Sequence, residues 1–249
     1  SGRAAGARDP DSASVAGPGS AAVPVGAILP AFNAARHLPA LLAELRARHP
    51  ALRVLVVDDG SSDGTADAAA APGVDVIRHE VNRGKGAALA TGYRWALDNG
   101  LAWVYTMDAD GQHLPAEMGR FLEAALAGGW DVVVGSRMDA TAGMPWVRKA
   151  TNRFTSAVVS RLAGCRIPDS QSGFRLFRVP PLAGLELVTS RYDTESEILV
   201  RLAWRGCRIG AVPISTVYGE ERSSIRPLRD TVRFFRLAAR LRAERRRRT

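Results

Sequence analysis

Strand-like apolar runs alternate with helix-like segments along most of this chain. The first two runs, residues 25–29 and 53–57, enclose a stretch, 38–48, in which leucines recur every three or four positions, the spacing of one helix face. Further strands are predicted at 74–77, 102–107, 131–134, 174–177 and 207–214, and further helices at 86–97, 115–127, 146–162 and 195–204. This alternation predicts an α/β fold in which a mostly parallel sheet is flanked by helices.

Composition divides the chain into three parts. Residues 1–22 are rich in Ala, Gly, Ser, Pro and Asp, lack the basic-then-apolar order of a secretory signal, and predict a flexible tail. Residues 23–225 carry the alternating pattern and are long enough to bury one large core. Residues 226–249 are basic and helical in pattern. We therefore expect one α/β domain between a flexible tail and a basic amphipathic helix.

The net charge of +9 is concentrated near the C-terminal end. Residues 226–249 contain ten arginines against two acidic residues, a net of +8, which leaves the rest of the chain close to neutral. No apolar stretch approaches the roughly 20 residues that a membrane-spanning helix needs. The distribution argues against nucleic-acid binding by the folded body, because the basic character belongs to the last segment alone.

That last segment has two distinct helical faces. One face is apolar, with flanking residues that are also apolar, and another is basic. The apolar face holds Leu228, Val232, Phe235 and Ala239, flanked by Phe234, Ala238 and Leu241, and the basic face holds Arg229, Arg233, Arg236 and Arg240. Such a helix either binds an anionic membrane surface or packs on the body with its arginines in solvent. The run of arginines at 245–248 favours the membrane.

Two carboxylates directly follow the strand predicted at 102–107. Asp108 and Asp110 are one residue apart, and Gln112 adds a neutral oxygen ligand. Mg²⁺ and Mn²⁺ prefer oxygen ligands, and sites with one or two carboxylates usually leave the remaining positions to phosphate oxygens or water. The pattern predicts a site that holds a divalent cation against a diphosphate.

Polar and glycine-rich loops follow the other predicted strands. Residues 30–33 follow the first strand, 58–61 the second and 82–86 the third. Because open α/β sheets bind ligands at the carboxyl ends of their strands, these loops predict a nucleotide pocket. No Gly-x-Gly-x-x-Gly follows the first strand, and the loop at 84–86 lacks the flanking residues of a P-loop. A dinucleotide dehydrogenase and an ATPase are therefore disfavoured.

A series of short motifs follows in a fixed order between Val25 and Arg233. They are Pro30-Ala31-Phe32-Asn33, Val57-Asp58-Asp59-Gly60-Ser61-Ser62-Asp63-Gly64-Thr65, Asn82-Arg83-Gly84-Lys85-Gly86, Asp108-Ala109-Asp110-Gly111-Gln112-His113-Leu114-Pro115, Gly135-Ser136-Arg137, Asp169-Ser170-Gln171-Ser172-Gly173-Phe174-Arg175, Val212-Pro213-Ile214 and Tyr218-Gly219-Glu220-Glu221-Arg222-Ser223. In these motifs the chain resembles family 2 glycosyltransferases of the GT-A fold, closest to the branch of dolichol- and polyprenol-phosphate sugar synthases. The resemblance implies a Rossmann-like sheet and a nucleotide-sugar donor.

The resemblance also implies roles for individual residues. Asp108, Asp110 and Gln112 would carry Mg²⁺ or Mn²⁺, and Asp110 and Arg137 would belong to the catalytic centre. The donor would contact Pro30, Phe32, Asn33, Asp59, Gly60, Asn82, Lys85, Gly86, Asp108 and Ala109. The acceptor phosphate would contact Arg137, Arg148, Asn152 and Arg153, and a loop with Arg222 and Ser223 would approach the diphosphate.

The chain departs from the family pattern at two of these loops. Many relatives have Glu where this chain has Ala34, so one donor contact is in doubt. Many also have Lys where Ser224 stands, which weakens the diphosphate role of that loop. The chain also lacks the membrane-spanning helices that some relatives carry, so a lipid acceptor would be met at the membrane surface.

Two acceptors are compatible with the motifs. One is a polyprenyl or dolichyl phosphate, which is already largely ionised near neutrality and needs no general base. The other is a hydroxyl group of a glycan or small molecule, which needs a base, and Asp193 or Glu195 could supply it. Alternatively, these two acids could stabilise the first turn of a helix, where negative charge is favourable.

The sequence leaves the donor open among GDP-mannose, UDP-glucose and UDP-N-acetylglucosamine. The two cysteines, Cys165 and Cys207, lie in separate segments without metal-ligand spacing and suggest a reducing compartment. We therefore expect a cytoplasmic enzyme, peripheral on the cytoplasmic face of the membrane.

Overall fold

A computed structural model describes residues 23–138, 146–191, 193–215 and 227–248 of the chain. Its strands are β1 (Val25–Ala31), β2 (Arg53–Asp58), β3 (Val74–Arg78), β4 (Trp103–Thr106), β5 (Val132–Ser136), β6 (Arg175–Arg178) and β7 (Ile209–Pro213). Its helices are α1 (Leu38–Arg48), α2 (Thr65–Ala69), α3 (Lys85–Asp98), α4 (Met118–Gly128), α5 (Trp146–Ala163), α6 (Asp193–Trp204) and α7 (Pro227–Arg248). Strands and helices alternate along the described parts of the chain, as the sequence predicts.

The strands form one sheet in the order β3-β2-β1-β4-β6-β5-β7. β1 pairs in parallel with β2 on one side and β4 on the other, and β2 pairs in parallel with β3. β6 is inserted antiparallel between β4 and β5, while β7 is parallel to β5. The mostly parallel sheet flanked by helices is therefore confirmed, and its antiparallel strand lies near the middle.

β1 is longer than the sequence predicts, because it continues through Pro30 to Ala31. Ile28 O accepts a hydrogen bond from Met107 N on the β4 side of the strand. Since backbone groups two residues apart point the same way, the Pro30 nitrogen also faces that side. β4 has already ended there, so the missing N–H of proline leaves no ladder bond unmade.

Two apolar layers cover the two faces of the sheet. One contains Leu89 of α3, Val159 of α5, Leu199 of α6 and Leu237 of α7. The other is built mainly on α1 and α4, with Phe121 fully buried. Packing on both faces explains why the strand sequences read as continuous apolar runs rather than as alternating patterns.

α7 packs on the body of the protein. Phe234, Leu237 and Leu241 are buried in the same apolar layer as α5 and α6, whereas Val232 and Phe235 are about half exposed. The flanking apolar residues therefore form the packed face. Of the row predicted as the main apolar face, Val232, Phe235 and Ala239 are exposed, and the side chain of Leu228 lies outside the described residues. Within the described residues, no helix combines the length and apolar character needed to cross a membrane.

Candidate functional site

The loops after β1 and β2 are tied together at the carboxyl edge of the sheet. Asn33 N donates to Ser61 Oγ at 2.9 Å, and Ser62 N donates to Asn33 Oδ1 at 3.1 Å. Asn33 adopts a left-handed backbone conformation with φ of +52°, which Asn tolerates better than most residues. Next to it Phe32 is exposed, with 52% of its surface accessible. This paired loop presents an aromatic side chain at the edge where the sequence predicts a nucleotide.

Asp59 holds the loop after β3 in place. Its Oδ1 accepts hydrogen bonds from His79 Nδ1 at 2.7 Å and from Arg83 N at 3.0 Å, and its Oδ2 accepts one from Gly84 N at 2.7 Å. Both carboxylate oxygens are therefore engaged by the protein itself. This geometry gives the buried Asp59 a role in shaping the donor loop, beside the predicted contact with the donor.

The neighbouring Asp58 was not among the predicted site residues. It is fully buried, and its Oδ1 accepts a hydrogen bond from Ser61 N at 2.9 Å. Its Oδ2 lies 3.4 Å from Arg78 Nε and has no hydrogen-bond donor among the residues that the structure describes. A buried acceptor with spare capacity at a strand end is a suitable partner for a ligand N–H or hydroxyl group. The donor contact predicted for Asp59 stays a prediction, and the structure adds Asp58 as a second candidate in the same motif.

Lys85 joins two carboxylates that are far apart in sequence. Its Nζ lies 2.5 Å from Asp108 Oδ1, after β4, and 3.0 Å from Glu195 Oε1, in the first turn of α6. The lysine is the first residue of α3, so that the loop after β3, the end of β4 and the start of α6 meet at one ammonium group. The three predicted residues thus form one ionic cluster.

The charges of this cluster reinforce one another. Burial disfavours the charged form of Lys85, but Asp108 and Glu195 outweigh it and raise the pKa of the ammonium group. Burial would likewise raise the pKa of Asp108, but Lys85 and His113 outweigh it and hold that pKa well below its usual range. Both groups are therefore charged at neutral pH and form an ion pair with each other.

Two residues enclose the Asp108 carboxylate from the other sides. His113 is buried, stacks on Phe174 with 5.2 Å between ring centroids, and places Nε2 3.8 Å from Asp108 Oδ2. Gly173 lies so close that a Cβ atom built on it would be 2.5 Å from the same oxygen. Its carbonyl accepts a hydrogen bond from Thr106 Oγ1 at the end of β4, which fixes this approach. The carboxylate is therefore confined before any ligand arrives.

The residues predicted to hold a metal fit that role when a diphosphate completes the site. Asp110 Oδ1 accepts a hydrogen bond from Gln112 N at 2.9 Å, so the turn after β4 keeps both residues close to Asp108. Across the described part of the chain, no group of three His, Cys, Asp or Glu side chains is arranged to bind a metal. Two carboxylates and an amide oxygen suffice for Mg²⁺ or Mn²⁺ only if phosphate or water supplies the other ligands.

Glycines 84 and 86 allow α3 to begin against the segment before α6. A Cβ on Gly84 would lie 2.2 Å from Ser190 O, and a Cβ on Gly86 would lie 2.1 Å from Thr194 Oγ1. A protein segment therefore occupies the space beside both glycines. Close packing at this point is what lets Lys85 reach Glu195.

Arg137 is committed to a buried ion pair. Its Nε and Nη2 donate to the two carboxylate oxygens of Asp169 at 2.8 and 3.0 Å, and its backbone N–H donates to the same residue at 3.2 Å. Burial opposes its charge, but Asp169 outweighs it and, with Asp108 and Glu195, raises the pKa of Arg137. The guanidinium therefore lies in the field of the ionic cluster, with its plane oriented by Asp169.

The other predicted acceptor residues lie at the start of α5. Asn152 is buried and Arg153 is exposed on that helix, while the side chain of Arg148 lies outside the described residues. Arg222 and Ser223 also lie outside the described residues. At the donor side, Asn82 is exposed, Gly60 packs against it, and Ala109 is buried in the core.

Arg175 is a structural centre of the site that sequence reasoning missed. It is 1% exposed, and its guanidinium donates to three backbone carbonyls, those of Ser170 at 2.9 Å, Ser172 at 2.8 Å and Glu195 at 2.7 Å. It thus ties the loop before β6 to the first turn of α6. The sequence carried two signals for it, its place at the end of the motif at 169–175 and an arginine inside a short apolar strand.

We predict that Gly173→Ala will impair the site without unfolding the protein. The added Cβ must displace the Asp108 carboxylate, which Lys85 holds from the other side. Because misplacing a reacting or ligating group by about 1 Å is costly, activity should fall about 10- to 100-fold and the Mn²⁺ concentration for half-maximal activity should rise.

The matched control is Gly119→Ala in α4, where an added Cβ meets no atom within 4 Å. Assays of sugar-nucleotide turnover against Mn²⁺ concentration should show this control close to the wild type. Equal metal dependence in the Gly173 and Gly119 variants would contradict the proximity of residue 173 to a metal site.

Comparison with known proteins identifies a family. The model of glycosyl transferase family 2 matches residues 27–185, which include most of β1, all of β2 through β6 and both carboxylates after β4. An undecaprenyl-phosphate mannosyltransferase of Micrococcus luteus is 36% identical over 204 residues, covering 78% of this chain and 83% of the relative. A UDP-N-acetylglucosamine–dolichyl-phosphate N-acetylglucosaminyltransferase of Methanococcus voltae is 32% identical over 215 residues, covering 78% and 85%. These relatives confirm the polyprenol-phosphate sugar synthase branch that the motifs predict.

Solved structures confirm the fold. Glucosyl-3-phosphoglycerate synthase of Mycobacterium tuberculosis, in complex with Mn²⁺, uridine diphosphate and phosphoglyceric acid, superposes with a TM-score of 0.64. Its sequence is 20% identical, and the match covers 90% of this chain and 78% of that structure. At this identity the likeness concerns the GT-A architecture, in which the carboxyl edge of the sheet carries the loops described above.

Proposed function

The chain belongs to glycosyl transferase family 2, and from this premise we propose that it transfers a sugar from a nucleotide-sugar to a polyprenyl or dolichyl phosphate, with a divalent metal and inversion at the anomeric carbon. The relatives named above act on undecaprenyl or dolichyl phosphate, which supports this acceptor. Residues 23–225 would form the catalytic domain, and 226–249 a basic helix attached to it.

The ionic cluster around Lys85 is the observation that carries the proposal. Asp108 follows β4 at the same sheet edge as the loops after β1 and β2, and Lys85 and Arg137 place positive charge beside it. A nucleoside diphosphate bound along this edge would meet Phe32 and Asp58 at one end and the carboxylate turn at the other. Mg²⁺ or Mn²⁺ held by Asp108, Asp110 and Gln112 would offset the charge that collects on the departing diphosphate.

The reaction is a single displacement. An oxygen of the acceptor phosphate attacks the anomeric carbon, the bond from that carbon to the diphosphate oxygen breaks, and its electron pair leaves with the nucleoside diphosphate. Lys85, which pairs with Asp108 and Glu195, would donate to a diphosphate oxygen if a bound cation replaced it as the partner of Asp108. Arg137, oriented by Asp169, would bind the incoming phosphate through charge-assisted hydrogen bonds.

The engagement of Glu195 favours a phosphate acceptor over a hydroxyl acceptor. A hydroxyl acceptor requires a carboxylate that can accept its proton. Glu195 Oε1 is instead paired with Lys85, and Arg175 holds the backbone of the same residue. Asp193 is the first residue of α6, where its charge favours the helix N-terminus. A hydroxyl acceptor, with one of these acids as base, is the second candidate.

Amide substitutions separate the two candidates. Because Glu195 positions Lys85 in our proposal, Glu195→Gln should lower kcat about tenfold or less and leave the shape of the pH profile unchanged. Asp193→Asn should have a smaller effect. The matched control is Glu186→Gln, an exposed carboxylate outside the site. A loss of about 10²- to 10⁴-fold with disappearance of the acidic limb would instead identify a general base.

A direct assay tests the reaction itself. The purified protein is incubated with radiolabelled GDP-mannose, UDP-glucose or UDP-N-acetylglucosamine, with Mn²⁺ or with a chelator, and with a short-chain prenyl phosphate. The prenol of the same chain length, which lacks the phosphate, is the matched acceptor control. We expect transfer to the phosphate alone, dependent on the metal, to give a product of inverted anomeric configuration. Transfer to the prenol, or retention of configuration, would contradict the proposal.

A lipid acceptor also bears on where the enzyme works. Since the acceptor phosphate lies at a membrane surface, we propose that the protein acts as a peripheral enzyme on the cytoplasmic face of that membrane. The arginines of α7 support this placement, because each basic residue near an anionic surface adds about 1 kcal/mol of attraction.

A further inference from the structure

α5 exposes a row of apolar side chains along one side. Trp146, Ala150, Phe154 and Ala157 follow one another at helical spacing, and all four are exposed. Trp146 is 79% accessible and Phe154 is 53% accessible. Single exposed apolar residues are common on protein surfaces, but an aligned row that includes two large aromatics is not.

α7 carries a second row of the same kind. Val232, Phe235 and Ala239 are three and four residues apart and are exposed, the first two to 48% and 49%. The contacts of α7 with the body are made by other residues, chiefly Leu237 and Leu241. The burial of α7 on the body therefore rests on residues outside the exposed row, and the row itself reaches α5 through the ring of Phe235.

The two rows adjoin and start at the same end of their helices. The rings of Phe154 and Phe235 are 6.2 Å apart between centroids. Further along, Arg245 Nη1 donates to the carbonyl of Arg161 near the end of α5, so the helices run in the same direction. Trp146, Phe154, Val232 and Phe235 thus form one apolar patch, which we call the α5–α7 surface.

Basic side chains border the α5–α7 surface. Arg153 is exposed beside Phe154, and the exposed row of α7 continues from Phe235 into arginines toward its C-terminal end. Among the described side chains of α7, the exposed arginines are Arg236, Arg240, Arg242, Arg245, Arg246 and Arg247. An apolar patch with a cationic border matches the interface of an anionic bilayer, where apolar groups enter the acyl boundary and basic groups meet phosphate headgroups.

We propose that the α5–α7 surface docks the enzyme on anionic membranes. The reason for such docking rests on the proposed lipid acceptor, whereas the description of the surface does not depend on that acceptor. The start of α5 also carries Asn152 and Arg153, the predicted acceptor contacts. Docking through this surface therefore brings the acceptor side of the site to the headgroup level. Docking would also place the exposed apolar row of α7, which the body does not cover, in contact with lipid.

Vesicle binding tests the docking surface. The full chain is sedimented with vesicles of phosphatidylglycerol and phosphatidylcholine, and with vesicles of phosphatidylcholine alone. The variant Phe154→Ser/Phe235→Ser should bind the anionic vesicles at least about tenfold more weakly. Arg236→Gln/Arg240→Gln should weaken only the binding to anionic vesicles, and added salt should reduce the difference. The matched control is Leu126→Ser, an apolar residue of α4 that is 55% exposed on another part of the body.

Activity assays separate docking from catalysis. With a water-soluble short-chain prenyl phosphate, the Phe154/Phe235 variant should keep the kcat/KM of the wild type, whereas with a long-chain acceptor in vesicles it should lose at least about tenfold. Absence of transfer by the wild type to the soluble acceptor would refute the proposed function, but it would not affect the conclusion drawn from vesicle binding. Equal vesicle binding by the wild type and both double variants would overturn the docking proposal. The docking proposal would also be overturned if light scattering showed that the wild type is a dimer and that, of the variants, only Phe154→Ser/Phe235→Ser is a monomer.

Discussion

Replacing Asp108 and Asp110 together by alanine should reduce sugar transfer by at least about 10³-fold. The two carboxylates would hold the cation that offsets the negative charge developing on the departing diphosphate, and removing one such electrostatic contribution typically costs about 10²- to 10³-fold. Asp108→Asn alone should also cause a large loss, because the amide keeps the shape of the carboxylate but not its charge. Transfer is measured with the acceptor and donor identified in the assay above.

The double variant should remain folded. Asp108 is 29% exposed, and Lys85 keeps Glu195 as its partner when the aspartate is removed. Thermal unfolding should therefore differ little from the wild type in the absence of ligand. In the wild type, Mn²⁺ with a nucleoside diphosphate should raise the unfolding temperature by mass action, and in the variant this increase should vanish.

The control for this experiment is Asp98→Ala, an exposed aspartate at the far end of α3. It removes one negative charge, half of what the double variant removes, without touching the sheet edge. Unchanged activity of the Asp108/Asp110 variant, with the control also unchanged, would sink the assignment of the metal site.

Arg175→Met should lower the free energy of unfolding by roughly 3–5 kcal/mol. The methionine fills part of the volume but leaves the carbonyls of Ser170, Ser172 and Glu195 buried without their donor. Each unsatisfied buried group costs about 1–3 kcal/mol, and the loop can relax enough to recover some of that. Urea unfolding followed by circular dichroism gives the difference directly.

Two further variants keep this prediction testable even if the methionine variant does not accumulate as folded protein. Arg175→Lys retains the charge but cannot reach three carbonyls, so it should lose less stability than Arg175→Met. Arg178→Met removes an arginine from the same strand whose partner is Asp131 and whose side chain is 53% exposed, and it should cost about 1 kcal/mol or less. Similar losses at positions 175 and 178 would contradict the bonding described for Arg175.

The sequence predicts the elements of this fold well where their signal is local. α1 runs from Leu38 to Arg48, as its leucine spacing indicates, because one amphipathic face is enough to define a helix. The strand before Asp108 was predictable for a similar reason, since a buried strand reads as an apolar run. The turn with Asp108 and Asp110 was predictable from the same short stretch, because the two acids directly follow the apolar run.

What the sequence could not predict depends on contacts between distant segments. Arg137 and Asp169 are 32 residues apart, and no local pattern pairs them. The antiparallel insertion of β6 between β4 and β5 is likewise set by the way the chain returns to the sheet. For α7, Phe234 and Phe235 are adjacent in sequence, and only packing against α5 and α6 decides which is buried.

One short segment, 169–175, contacts three of the charged residues at the site. Asp169 orients Arg137, Gly173 confines Asp108, and Arg175 holds Glu195 from behind. For protein engineering this means that donor and acceptor preferences are not separable modules in this enzyme. Anyone who grafts this heptapeptide from a homologue to alter the acceptor will also reshape the donor side, so libraries should vary it together with residues 85, 108 and 137.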